Sequence, residues 1–429
     1  MRSTAAANDR TSRKTGIPKL SSMDSSLSLL REGYTFVSTR CDRLGSDAFR
    51  TRLMLTPVVC MRGADAAALV YDSGHFDRTK AMPIATLRLL QDEGSVQQLS
   101  GEAHRVRKAM FMAVMSPQAL ERARTDFAEQ LRAAVPRWQS EGSVILHDVL
   151  RDVLTRSVCA WASIPLSDRE AEARSREFGA MIDHAGSIGP RLLRARRLRN
   201  RSEIWARGLI ERTRRGEIKA EDGTALAAIA AHVDADGKSL DLAEASVELL
   251  NVLRPTVAVG RFIVFGAHAL AEHPAWADAF AAGDEEDLEA FVQEVRRAYP
   301  FFPVAGARAC EAFSWHGHAF QAGDWVLLDL YGTNHDPRLW DSPQEFRPER
   351  FRGWQGDPYT LVPQGAGAFD TGHRCPGEWL TIVLMKEAMR FLTRNILYTV
   401  PRQDLRINLA NMPALPGRGL VIADIRQTT

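Results

Sequence analysis

Cys375 lies in GHRCPGEW, between a glycine-rich stretch and an amphipathic run, within PQGAGAFDTGHRCPGEWLTIVLMKEAMRFL. A thiol there faces the unpaired backbone N–H groups of a helix N-terminus, which lower its pKa and suit the anion to a metal. Taken alone, a single cysteine is a small buried hydrophobe. Glu294 and Arg297, in FVQEVRRAYPFF, are three positions apart and share a helix face, and Arg350 follows in EFRPERF. A Glu–Arg pair by itself is an ordinary ion pair. In ELLNVLRPTVAVGRFIVF, Arg254 and Pro255 interrupt an apolar run. Pro255 has no N–H and releases the carbonyl of Asn251, four residues back, so a kink is expected. A guanidinium keeps its proton, and the acids nearest on that run are Glu248, six positions upstream, and Glu272. Neither has the spacing that lets helix side chains meet. A buried Arg254 therefore needs an anion from elsewhere.

These groups must be held by helices for the most part. Amphipathic spacing predicts helices over 104–114, 117–138, 144–161, 200–215, 241–272, 285–299 and 377–395. Strand-like runs occupy 46–62, with a Thr-Pro break, 312–330, read as strand, turn and strand, and 396–425. The predicted fold class is mainly α with small peripheral β-sheets.

Composition narrows the function. The 429 residues contain no Gly, Ser or Pro linker, and 45% are hydrophobic and 25% charged, as in an ordinary globular chain. Residues 1–21 are expected to form a disordered tail and 22–429 a single catalytic domain. A net charge of +2 argues against a dedicated nucleic-acid binder. Five scattered cysteines suit a reducing compartment better than a disulfide framework. The N-terminal segment lacks the apolar run of a signal peptide, and Arg254, Arg261 and His268 interrupt the most apolar helix, so the expectation is a cytoplasmic protein without a membrane span. The basic stretch 191–215 reads as a solvated helix face, with nucleic-acid or membrane contact as the alternatives.

Taken together, E-x-x-R, then FRPERF, then a glycine-rich loop with Cys-Pro-Gly form a specific set. By these motifs the chain, from about residue 22 to 426, resembles a cytochrome P-450, a haem-thiolate enzyme. The resemblance implies haem b lying between the long central helix and the cysteine loop. It implies that Cys375 is the axial iron ligand and that Glu294, Arg297 and Arg350 form a structural triad bracing the loop. It assigns His104 and Lys108, and His373 at the basic position two before the ligand, to cofactor binding. The pattern also departs from the family's: Ala368 replaces the usual Phe seven residues before the ligand. Arg254-Pro255 replaces the acid and Thr that relay protons in oxygen-activating members.

ELLNVLRPTVAV, FVQEVRRAYPFFP, LYGTNHDPRLWD, EFRPERF and GHRCPGEW resemble the bacterial fatty-acid peroxygenase branch of that family. The resemblance implies a long-chain fatty acid and hydrogen peroxide as substrates, with no redox partner protein. It implies that Arg254 anchors the fatty-acid carboxylate in the opening made by Pro255, and that this carboxylate serves as acid–base for peroxide. Gln97 stands where hydroxylating members tend to have Gln and decarboxylating members His, with Gln98 as a rival in register. Phe301 and Phe302 are expected to line the acyl channel or, equally, to be core aromatics. His335 is expected to be structural. The reading that follows is α-hydroxylation ahead of β-hydroxylation, and both ahead of decarboxylation. A reductase-dependent monooxygenase and a haem sensor using the 191–215 face remain as alternatives.

Overall fold

The computed structural model describes residues 16–91, 94–187 and 189–428; the expected tail over 1–15 lies outside them. Residues 18–20 of that tail run alongside the first strand: Arg50 N–H donates to Pro18 O at 2.7 Å, and Leu20 N–H to Arg50 O at 2.9 Å. The architecture is mainly helical with small sheets, as the residue pattern predicts.

The main apolar core surrounds one long central helix, Leu242–Glu272. Asp241 and Glu244 start it with a capping box, each side chain accepting from the other's backbone N–H. Its apolar residues occur all round, so it is buried from several sides, against helices Leu146–Trp161, Pro190–Arg214 and Glu378–Arg390. Among the described residues it is the one helix apolar and long enough to cross a membrane, yet 89% of its most apolar window is buried in protein, which makes it a core helix. The helix runs through Pro255 without a break in its span. Further along, a Cβ at Gly266 would lie 2.8 Å from Met389 Cε, so glycine permits the close approach of the cysteine-side helix.

The largest sheet orders its strands Ala48–Leu53, Thr56–Met61, Trp325–Asp329, Val304–Ala309 and Phe76–Asp77. A second sheet joins Ser143–Ile145, Val421–Gln427 and Ile396–Thr399, and a third is a hairpin of Phe313–Trp315 with His318–Phe320. Two expectations are corrected. The break within 46–62 is not at Thr-Pro: Met54 and Leu55, both with positive φ, make the turn, and Thr56-Pro57 opens the second strand. Residues 312–330 hold three strands, because His316 and Gly317, at φ 48° and 77°, close a tight hairpin before the strand Trp325–Asp329. The basic stretch belongs to helix Pro190–Arg214; Arg191, Arg194 and Arg197 are exposed, while Arg199 is buried and donates to Leu89 O at 2.8 Å.

Candidate haem-thiolate site

The cysteine loop is tied to the helix that follows it. Cys375 N–H donates to Gln364 O at 3.1 Å, and the Gln364 amide donates to Thr381 Oγ1 at 3.1 Å while lying 3.8 Å from Cys375 Sγ. Gly365, at φ 100°, allows the tight turn; a Cβ there would lie 2.9 Å from the Tyr71 hydroxyl. The Cys375 side chain is half-buried. The expected lowering of its pKa is corrected: burial pushes the thiol up, opposed by the Gly377 N–H, Lys108 and Gln364. The helix terminus alone does not offset the cost of burying the anion; a metal cation bound there would supply the opposing charge.

Behind the loop lies the ion-pair cluster. Glu294 and Arg297 form a two-pronged pair, both contacts 2.7 Å, and Arg350 Nε reaches Glu294 at 3.2 Å. Arg297 also donates to Asn334 O at 3.0 Å and Pro343 O at 2.9 Å, while the Asn334 side chain accepts from Val362 N–H at 2.9 Å. Val362 is two residues before Gln364, so the pair bears on the loop through backbone, without touching Cys375. Arg296 and Arg374 both hold Glu378, in the first turn of the cysteine-side helix.

A second cluster gathers nitrogen donors. His104 and His373 stack at 3.9 Å between centroids, and Lys108 donates to Gly372 O at 3.0 Å and to Arg374 O. Arg78 joins them: it lies 4.2 Å over the Tyr71 ring and donates through Nη1 to Gly306 O at 2.6 Å, while its buried Nη2 finds no acceptor among the described residues. Burial, reinforced by Lys108 and Arg78, lowers His104 to about 4; burial, Arg78, His104 and Lys108 lower His373 to about 2; burial lowers Lys108 to about 8. A concentration of donors with one orphaned guanidinium nitrogen, beside a half-open thiol, fits a flat group that carries carboxylates and a thiolate-binding metal, which is the chemistry of haem b. Arg78 has no motif to mark it in HFDRTK, and Gln364 shows only as the polar residue of PQGAG.

Arg254 is 6% exposed and lies on the central helix. It donates to Leu90 O and, at 3.5 Å, to Asn251 Oδ1; it meets no carboxylate among the described residues. Burial and the neighbouring Arg199 pull it down to about 9, so it is charged at neutral pH. Asn251 Nδ2 donates to Gln97 Oε1 at 3.3 Å, whereas Gln98 turns away to Lys80 N–H at 3.0 Å and Gln91 at 3.0 Å. Gln97, Asn251 and Arg254 are thereby brought together, with Pro255 adjoining. Phe301 stacks on Phe262 of the central helix at 4.1 Å within the main core, and Phe302 stands 46% exposed. Among the described residues, neither ring stacks with the Arg254 guanidinium. His335 Nδ1–H donates within its own turn to Tyr331 O at 2.9 Å.

Comparison with known proteins bears on the whole chain. The family profile described as Cytochrome P450 matches residues 287–415. The solved structure of cytochrome P450SP alpha (CYP152B1) in complex with (R)-ibuprophen is 47% identical, covers 94% of this chain and 99% of its own, and superposes at a TM-score of 0.92. Cytochrome P450EX alpha (CYP152N1) with myristic acid is 37% identical over 96% and 99% of the two chains, at a TM-score of 0.93. A single-substitution variant of cytochrome P450 OleT in complex with arachidonic acid is 32% identical over 96% and 99%, also at 0.93. Among curated sequences, the flavonoid-6-hydroxylase of Ocimum basilicum matches at 32% identity over 141 residues, 30% of this chain, which spans only 26% of that protein. The long, closely superposing matches decide the matter: the chain belongs to the cytochrome P450 family, as a haem b-containing haem-thiolate oxidoreductase of its CYP152 peroxygenase branch.

Proposed function

We propose that this enzyme hydroxylates long-chain fatty acids near the carboxyl end at the expense of hydrogen peroxide, α-position ahead of β, without a reductase partner and in the cytoplasm. The observation that carries this reading is the buried, charged Arg254 with no carboxylate beside it among the described residues. A fully enclosed cation is stable there only when an anion enters, and a fatty-acid carboxylate forms the two-pronged, charge-assisted pair that a guanidinium favours. Support comes from the neighbours' ligands: myristic acid, arachidonic acid and ibuprophen are all carboxylic acids.

Haem bound through Cys375 supplies the oxidising chemistry when peroxide reaches it. The chain's own residues do the rest. Glu294, Arg297 and Arg350 hold the loop, and Arg78, His104, Lys108 and His373 provide the donors for carboxylates on the cofactor. Arg254 fixes the substrate head group, which places the first methylenes nearest the oxidant and sets the regiochemistry. The held carboxylate moves the proton between the two peroxide oxygens, a task that Arg254, protonated and without an acceptor at neutral pH, cannot perform. One C–H and one H2O2 thereby become one C–OH and one water. Gln97, less basic than histidine, favours hydroxylation over decarboxylation, and Phe301 with Phe302 are read as the acyl-chain side.

Incubating the purified holoenzyme with myristic acid and hydrogen peroxide should give 2-hydroxymyristic acid as the main product by mass spectrometry. Turnover with a ferredoxin system alone, and none with peroxide, would replace this reading with a reductase-dependent monooxygenase.

A further inference from the structure

Glu248, on the same helix as Arg254, is fully buried, and a carboxylate in such surroundings is a strong rival for the guanidinium. The two are six residues apart, about 9 Å along the axis, and one side chain, Asn251, lies within hydrogen-bond distance of both, so a single amide separates the two charges. They do not pair. Three donors saturate Glu248 instead: Arg107 Nη1 at 2.7 Å and Val96 N–H at 2.7 Å on Oε1, and Asn251 Nδ2 at 2.9 Å on Oε2. Arg107 is itself fixed from its other side by Asp234, at 2.9 Å through Nε and again through Nη2, and Asp234 lies 3.1 Å from His232.

Asn251 stands between the two charges. A carboxylate only accepts and a guanidinium only donates, so a residue touching both must offer a donor to one and an acceptor to the other. Its amide does so: Nδ2 faces Glu248 and Gln97, and Oδ1 faces Arg254 at 3.5 Å. We infer that Arg107 and Asn251 are positioning residues that insulate Arg254 from the protein's own Glu248, keeping the cation open for the substrate carboxylate. This rests on the reading that Arg254 holds that carboxylate.

The experiment is an optical titration of the haem-loaded protein with myristic acid, with haem content and Tm measured for each variant. Arg107→Met releases Glu248, which then takes Arg254, and the Kd should rise about ten-fold or more, the loss of one charge-assisted pair. Adding Glu248→Gln in the same chain should return the Kd to within about three-fold of the parent, since the competing charge is gone. A merely structural Arg107 gives no such rescue, and a double variant no better than the single one overturns the inference. Should Arg107→Met fail to load haem, Asn251→Asp and Asn251→Leu decide. Both delete the amide but only Asp adds an anion beside Arg254, so Asp must weaken binding at least about ten-fold more than Leu. Equal effects overturn it. Arg254→Ala separates the two levels: if it binds myristic acid normally, the anchoring reading falls along with the insulation; if it does not, while the charge variants are silent, only the insulation falls.

Discussion

Two regions of the molecule treat buried arginine in opposite ways. Behind the loop, Arg297 has a two-pronged carboxylate partner and two backbone carbonyls, and Arg296 has Glu378. On the central helix, Arg254 is buried too but meets only a carbonyl and an amide oxygen. Seven residues further along that helix, Arg261 again has a carboxylate, Asp183, at 2.5 Å. The fold is therefore able to answer a buried cation and does so around Arg254. Saturated arginines brace the scaffold, whereas Arg254 has no carboxylate partner among the described residues.

That contrast can be broken by substitution. The largest effect is expected from Arg297→Ala, which strands Glu294 without its main partner; removing one member of a buried pair costs about 3–5 kcal/mol. Thermal unfolding should show a marked fall in Tm, with haem content reduced. Arg254→Ala should do the reverse: a Tm at or above the parent's, haem retained, and fatty-acid turnover lost, as read by unfolding, pyridine haemochrome and product analysis side by side. A lowered Tm with normal turnover would erase the distinction.

Acetate sharpens the comparison at smaller amplitude. With a substrate that lacks a carboxylate, acetate should restore some peroxide-driven oxidation in the parent protein and none in Arg254→Ala. The pH profile follows from the same group. Arg254, at about 9, is protonated at neutral pH, and a bound carboxylate raises its pKa further. Affinity for myristic acid should thus be full below pH 9, fall as pH rises past it, and fall again in acid, where the carboxyl group itself protonates at about 4–5. An unchanged Kd up to about pH 10.5 would mean that the guanidinium keeps its proton over that range, with the acid-side fall remaining. The smallest effect belongs to the surface: Arg406→Ala, in an exposed pair with Asp404, should leave the unfolding midpoint and the Kd where they are.

What could be read from the residues alone follows the range over which each feature acts. The cysteine loop, the Glu294–Arg297 pair and the Arg-Pro helix are each encoded in one continuous stretch, and helix periodicity locates their elements. Helix Asp168–Asp183 carries a start signal in the Ser167–Glu170 capping box, but its polar composition obscures the apolar stripe. Strand Val304–Ala309 is built of small residues, with Val304 and Arg308 the exceptions, and shows no alternation. The Met54–Leu55 turn hides because apolar residues seldom take positive φ. Arg107 and Glu248 are 141 positions apart, and Arg78 meets Gly306 across 228; no local pattern announces such meetings. The pull of the helix terminus on Cys375 was legible, but its outcome was not, because it depends on how much of the loop the rest of the chain covers.

Gly266 has one more consequence. The central helix and the helix after Cys375 touch where Met389 lies against this glycine, 12 residues beyond Arg254 and 14 beyond the sulfur. A Cβ added there would press on a flexible thioether, which can give way, whereas a branched side chain would force the two helices apart. The packing of the helix that carries Arg254 against the helix that follows Cys375 thus hinges on the absence of one carbon atom, far along the chain from either residue.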